Sequence, residues 1–323
     1  MLVVLGHAIQ TVMIQQGSSF VDDYLWNLIY SFHMPAFMAV SGFVAYRAKA
    51  ASTAGGGGNS LLSVIVRRFR QVMIPYLIWS VAMFFVNHNV EHIYDYILYP
   101  NKSLWFLWTL FFIVVIFNCV TQFSSKIKLK EEISIPLAAL LLFGVLLIVP
   151  DAKFLGVEYV AYYFLYYALG FFIHKYSDYL IVKKWYALGI LGVAWFVLGS
   201  VYSTQGLPQC IPAIPKVPVS LQYYVYRVFT AIIAIFFVFG VASLLPDGKL
   251  RFITKCGQIS LGIYAVHMVI RFPIVRLLVS LMPDIQYTPL VIITFVILLM
   301  MSVGLVLLFE KWKPTKVLLL GKL

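Results

Sequence analysis

The chain is short of charge. Of its 323 residues only 11% are Asp, Glu, Lys or Arg, against 62% that are hydrophobic. Soluble domains carry about 25% charged and about 45–50% apolar residues, so an ordinary water-soluble domain is excluded. Acidic residues are scarcest, 12 against 24 basic ones, for a net charge of +12. Cysteine is nearly absent: Cys119, Cys210 and Cys256 fall in separate segments, no two share a loop, and no disulfide framework is implied. The run "STAGGGGNS" at 52–60 has no Gly-Lys-Ser/Thr after it, which excludes a phosphate loop and leaves a flexible linker. No Gly-x-Ser-x-Gly elbow occurs, so a serine acyl-enzyme is disfavoured. The start lacks a basic n-region and a small-residue cleavage site before His7, as a cleavable signal peptide would need. We expect instead that the first helix has lost its beginning.

What the chain does have is long apolar blocks, with a mean hydropathy of +0.93. A helix crossing a hydrocarbon core of ~30 Å needs roughly 20 apolar residues. Blocks that approach or meet this lie at 1–16, 24–46, 69–87, 104–123, 133–150, 158–174, 185–203, 223–245, 257–281 and 287–309. They must be helices, because open strands cannot satisfy their backbone groups in lipid. The expected fold is an all-α polytopic membrane protein, a single domain over 1–323 with about ten transmembrane helices. With the N-terminus placed inside, eighteen of the 24 basic residues fall on the inner side. That is the positive-inside pattern, and it puts both termini in the cytoplasm. The basic balance is then accounted for by topology, and no nucleic-acid partner is expected.

A few polar residues interrupt the blocks. His7 lies nine residues before Gln16 and His33 nine after Tyr24. At about 1.5 Å per residue each is ~13 Å deep. His267 lies some ten residues into the ninth block, so three rings from three helices share one depth. Ionisable groups within a span mark functional sites by default. The bland alternative, rings that glue helices together, explains one histidine better than three at a common level. His88, His92 and His174 read as solvated surface. In "ISLGIYAVHMVIRFP", Ser260, Tyr264, His267 and Arg271 stack on one helical face. Arg271 either holds an anionic or carbonyl oxygen or snorkels to the outer surface. Pro35 sits beside His33 and is expected to kink the second span, turning His33 inward. Arg67, Arg68 and Arg70 open the third block and Arg47 closes the second. Their planar forks suit phosphate, although topology alone also places basic residues there. Trp105, where the fourth block meets the outer interface, reads as aromatic belt or as a platform for a sugar.

Five segments together carry a resemblance: "VVLGHA", "FHMPAFMAVSGF", "RRFRQVMIPYLIW", "LWFLWTLF" and "GQISLGIYAVH". In this order they resemble the membrane acyltransferase-3 family, and the "FHMP…SGF" form resembles its branch of fucose 4-O-acetylase-like proteins. The resemblance implies transfer of an acyl group, usually acetyl from acetyl-CoA, to a hydroxyl of a sugar or cell-surface glycan. It implies an enzyme of the bacterial inner membrane that uses acyl-CoA as co-substrate, with no bound cofactor and no metal. The family's catalytic histidine maps onto His7, with His33 and His267 as partners in the same catalytic set. Arg67, Arg68, Arg70 and Arg47 would bind the CoA donor, and Arg271, Tyr264 and Trp105 would contact the acceptor or the oxyanion. The family pattern also places an arginine before that histidine with ten residues between, and this chain begins only six residues upstream. The chemistry agrees with the mapping: a thioester is already activated, and a histidine of pKa about 6.5 can take the attacking hydroxyl's proton. Two other readings remain open at this point. One is a transporter or flippase of a lipid-linked glycan that uses the histidines as a proton relay. The other is a structural partner in a polysaccharide-synthesis complex.

Overall fold

A computed structural model describes residues 1–54, 60–87, 92–149, 152–245, 255 and 257–322. No strand occurs among the described residues. The helices in chain order are α1 (Leu2–Gln15), α2 (Tyr24–Tyr30), α3 (His33–Ala54), α4 (Leu61–Arg68) and α5 (Ile74–Asn87). There follow α6 (Ile93–Leu98), α7 (Trp105–Lys126), α8 (Glu131–Ile148), α9 (Val157–Lys175) and α10 (Ser177–Leu180). The last are α11 (Trp185–Ser200), α12 (Val219–Leu244), α13 (Ser260–Leu281), α14 (Tyr287–Phe309) and α15 (Lys313–Leu320).

Eight helical segments among the described residues are long and apolar enough to cross a membrane, which makes the chain an all-α polytopic membrane protein. The other two expected spans also form helices, α1 and α11, but they hold 14 and 16 residues. At 1.5 Å per residue these reach only about 21 and 24 Å, short of the ~30 Å core.

The second span, Tyr24–Lys49, is bent before Pro35. Its chain turns at Ser31 and Phe32, ending α2 and starting α3. Pro35 thereby falls in the first turn of α3, where its missing N–H costs no hydrogen bond. His33, just past this bend, is buried, at 3% exposure. At its other end α3 continues through Ala54, three residues into the expected linker, and the glycine run 55–59 lies outside the described residues. So do His88 and Cys256.

The third span starts earlier than its apolar block suggests. Ser60 caps α4 by accepting from Ser63 N at 3.2 Å, and the helix carries Arg67 and Arg68 two turns in from its start. Between α4 and α5, residues Phe69–Met73 form a π-helical turn. Pro75 follows directly and cannot donate to the Gln71 carbonyl, so a locally wider turn just before it is the expected accommodation. The freed side of that turn receives the C-terminal helix: a Cβ built on Gly321 would lie 1.9 Å from the Gln71 oxygen. Gly321 is left-handed, at φ +63°, and ends α15, while Trp79 Nε1 donates to the Leu319 carbonyl at 2.9 Å.

Helix α3 crosses α9 at very close range. A Cβ at Gly42 would lie 1.9 Å from the Tyr167 oxygen, and one at Gly170 would lie 1.8 Å from the Ala39 oxygen. Small residues that admit backbone-to-backbone contact are how helices associate when lipid removes the hydrophobic difference between them. His174, read from sequence as solvated, belongs to this crossing: its Nδ1 bonds the Phe43 carbonyl at 2.7 Å and its ring stacks on Phe43 at 4.0 Å. On the other side of the bundle α1 packs against α13 and α14. These two associations hold the elements that carry the candidate site.

Candidate active site

Two of the three intramembrane histidines meet. His7 from α1 and His267 from α13 are 8% and 0% exposed. His7 Nδ1 lies 2.8 Å from His267 Nε2, and the rings meet edge to edge, with centroids 5.1 Å apart and planes 26° from parallel. His267 Nδ1 faces the Ile263 carbonyl of its own helix at 2.8 Å. His33, at the head of α3, bonds the Ile29 carbonyl through Nδ1 at 2.7 Å and meets the Tyr30 ring edge-on at 4.5 Å. Among the described residues no hydrogen bond joins it to the other two rings.

The polar face of α13 surrounds the pair. Tyr264 lies three residues before His267, with ring centroids 5.8 Å apart, and Arg271 lies four after. Arg271 does not snorkel. Its Nη1 is 3.4 Å from Gln10 Oε1, and its Nε is buried with no hydrogen-bond partner. The Tyr264 hydroxyl is likewise buried and unpartnered. A buried donor left without a partner costs about 1–3 kcal/mol. Two such donors on one face beside a histidine pair make a place where an oxygen of a bound molecule would be held.

A groove leads to this place from the arginines. It is made of three cavities that share walls. The first, about 380 Å³, is lined by Lys49, Arg67, Arg68, Asn118, Gln122 and Glu131 among others. The second, about 210 Å³, shares Arg68, Val114 and Tyr167 with the first and adds Val40, Ser41 and Leu110. The third, about 420 Å³, shares Val40, Ser41 and Leu110 and runs on to Phe106, Tyr264 and His267. One stripe of α3, from Met34 to Lys49, follows the whole path. Fifteen helical residues span about 22 Å. Arg68 stands where the first two cavities join. Its Nε is buried without a partner and its Nη1 is 3.3 Å from Gln71 Oε1.

The structure thus joins His7 to His267, with Tyr264 beside them; His267 and Tyr264 line the third cavity, and Arg67 and Arg68 line the first. It does not bring Arg47 or Arg70 to a groove wall; both are exposed. Trp105 stacks instead on Tyr163 at 5.1 Å and packs against Tyr159 at 4.8 Å. Two groups of wall residues escape a reading of the sequence. Lys49 looks like topology alone, yet it lines the basic cavity, paired with Glu131 from the start of α8. The other group is Asn118, Thr121, Gln122 and Ser125, one polar stripe along the inward face of α7. Its signal was available: four hydrogen-bonding residues at i, i+3, i+4 and i+7 in an otherwise apolar helix.

A family model described as an acyltransferase domain matches residues 1–309. The chain belongs to the acyltransferase-3 family. Two curated relatives are similar over shorter stretches. Both are called nodulation protein NolL: one from Mesorhizobium japonicum, 26% identical over 38% of this chain, and one from Sinorhizobium fredii, 29% identical over 42%. The matched stretches cover 33% and 38% of those proteins, about a third of their length. No solved structure matches.

Proposed function

We propose that the protein is a membrane O-acyltransferase that moves an acyl group, acetyl in the simplest case, from acyl-CoA to a hydroxyl of a sugar or cell-surface glycan. The observation that carries this reading is a run of three cavities with shared walls, Arg67 and Arg68 lining the first and His267, bonded to His7, lining the last. A CoA thioester has that same polarity: phosphates at one end, a long neutral arm, and the reactive carbonyl at the tip. Arg67, Arg68 and Lys49 offer cationic forks and a point charge for the phosphates. The arm would lie along Val40, Ser41, Leu110 and Val114, which brings the thioester to His7 and His267.

The reaction then needs one base. His7 takes the proton of the attacking hydroxyl as its oxygen bonds to the thioester carbon. Arg271 and Tyr264, on the same face of α13 as His267, would stabilise the oxyanion that forms. As the C–S bond breaks, His7 returns the proton to the leaving sulfur, so the products are an ester and free CoA thiol. His33, buried at the head of α3, would orient His7 or the substrate. The basic end would face the cytoplasm, where acyl-CoA is made, in keeping with the charge bias of the loops and with residence in a bacterial inner membrane.

The test is transfer of label from radioactive acetyl-CoA to candidate glycans by purified protein in lipid nanodiscs, with His7→Ala as control. Transfer that depends on His7 is the expected result. Transport of a lipid-linked glycan with no acyl transfer would overturn the reading, as would full activity in His7→Ala.

A further inference from the structure

We propose that His267 is the residue that sets the tautomer of His7, and so chooses which of its nitrogens is the base; this rests on the reading of His7 as the base. A carbonyl oxygen only accepts hydrogen bonds. His267 Nδ1, 2.8 Å from the Ile263 carbonyl, therefore carries the ring proton. In the neutral ring its Nε2 is then a lone pair. That lone pair faces His7 Nδ1 at 2.8 Å, so the bond between the rings has one polarity: His7 donates. His7 holds its own proton on Nδ1, and the basic lone pair is left on Nε2.

The chain of bonds runs from His7 through His267 to a main-chain oxygen. In a hydrolase triad a buried carboxylate holds the catalytic imidazole in the right tautomer and stabilises the imidazolium that forms. Here a second imidazole does the same work without adding a buried negative charge. When His7 Nε2 takes the hydroxyl proton, its Nδ1–H strengthens its bond to His267 Nε2, which spreads the new positive charge toward the Ile263 oxygen. When the thiolate leaves, the proton passes from His7 Nε2 to sulfur and both rings return to their starting tautomers. The helix geometry supplies the anchor, because Ile263 is four residues before His267 and its carbonyl stands directly beneath the ring. His267 is thus a positioning residue that acts through His7.

The experiment compares four variants in nanodiscs: His267→Phe, His267→Gln, His267→Asn and His7→Ala, with kcat, the KM for acetyl-CoA and thermal stability measured for each. Phe keeps the ring volume and removes the acceptor; kcat should fall about 100- to 1,000-fold with the donor KM unchanged, in the range that general-base assistance supplies. Gln can place its amide oxygen near the position of Nε2, and it should restore kcat to within about tenfold of wild type, the mild end of losses from outer-shell changes. Asn is too short to reach and should behave as Phe does, which keeps the test available if the Phe variant does not fold. Wild-type kcat in His267→Phe or His267→Asn would overturn the proposal. So would a His267→Gln variant as slow as His267→Asn at equal thermal stability, since the acceptor would then have no bearing. Full activity in His7→Ala would instead remove His7 as the base, a separate failure.

Discussion

Arg68 should dominate donor binding, and its neighbours in sequence should not. It is the arginine where the basic cavity narrows into the groove, with Nε buried and unpartnered and one weak bond of 3.3 Å to Gln71. A phosphate oxygen bound there would gain a charge-assisted hydrogen bond from Nε, and such a bond contributes about 1.5–3 kcal/mol. Replacing Arg68 by Gln keeps a polar side chain of moderate length and removes the charge. At about 1.4 kcal/mol per tenfold, the affinity for CoA should fall by about 10- to 100-fold. Arg70 and Arg47 are exposed and line none of these three cavities, so Arg70→Ala and Arg47→Ala should change affinity by no more than about twofold, as expected of screened surface charges. Calorimetric titration of CoA into each variant in nanodiscs measures this directly. The same titration with dephosphorylated pantetheine should show no dependence on Arg68. An Arg68→Gln variant that binds CoA as wild type does, or an Arg70→Ala variant that loses as much, would refute the assignment of the groove's basic end.

Further outcomes follow from other contacts. Glu131→Gln removes the acid that pairs with Lys49 at the mouth of the groove and should tighten CoA binding a few-fold, read in the same titration. Tyr264→Phe should lower kcat by about tenfold or more as its hydroxyl is lost from the oxyanion, with the unfolding midpoint of the variant measured alongside. Gly170→Ala sets a methyl 1.8 Å from the Ala39 oxygen and must push α3 away from α9. A stability loss of about 1–3 kcal/mol is expected, with a raised donor KM because both helices line the groove; an unchanged unfolding midpoint would refute the close crossing. Trp79→Phe removes the bond to the Leu319 carbonyl and should cost about 0.5–1.5 kcal/mol, visible as earlier proteolysis of the C-terminal helix.

Hydropathy alone yields the class of this protein, because lipid leaves the backbone no alternative to helix and each span must be about 20 apolar residues long. The same reasoning marked His7, His33, His267 and Arg271, since an ionisable group in an apolar block stands out without any knowledge of its neighbours. Depth along a helix is a one-dimensional quantity, and it was enough to suggest that the three rings share a level. Direction around the helix is not. That His7 and His267 join while His33 turns back to Ile29 and Tyr30 of α2 depends on how α1, α3 and α13 are rotated, and interhelical packing sets that rotation. The break at Ser31 and Phe32 and the π turn before Pro75 were invisible for a related reason. Each is a local answer to a proline, chosen among several by what packs against it. Arg68 was likewise separated from Arg70 only in three dimensions: two positions along a helix are about 200° apart, so one faces the groove and the other the surface. Residue types and depths are thus carried by the chain itself. Which of them face one another was decided by two close associations, α3 with α9 through Gly42 and Gly170, and α1 with α13.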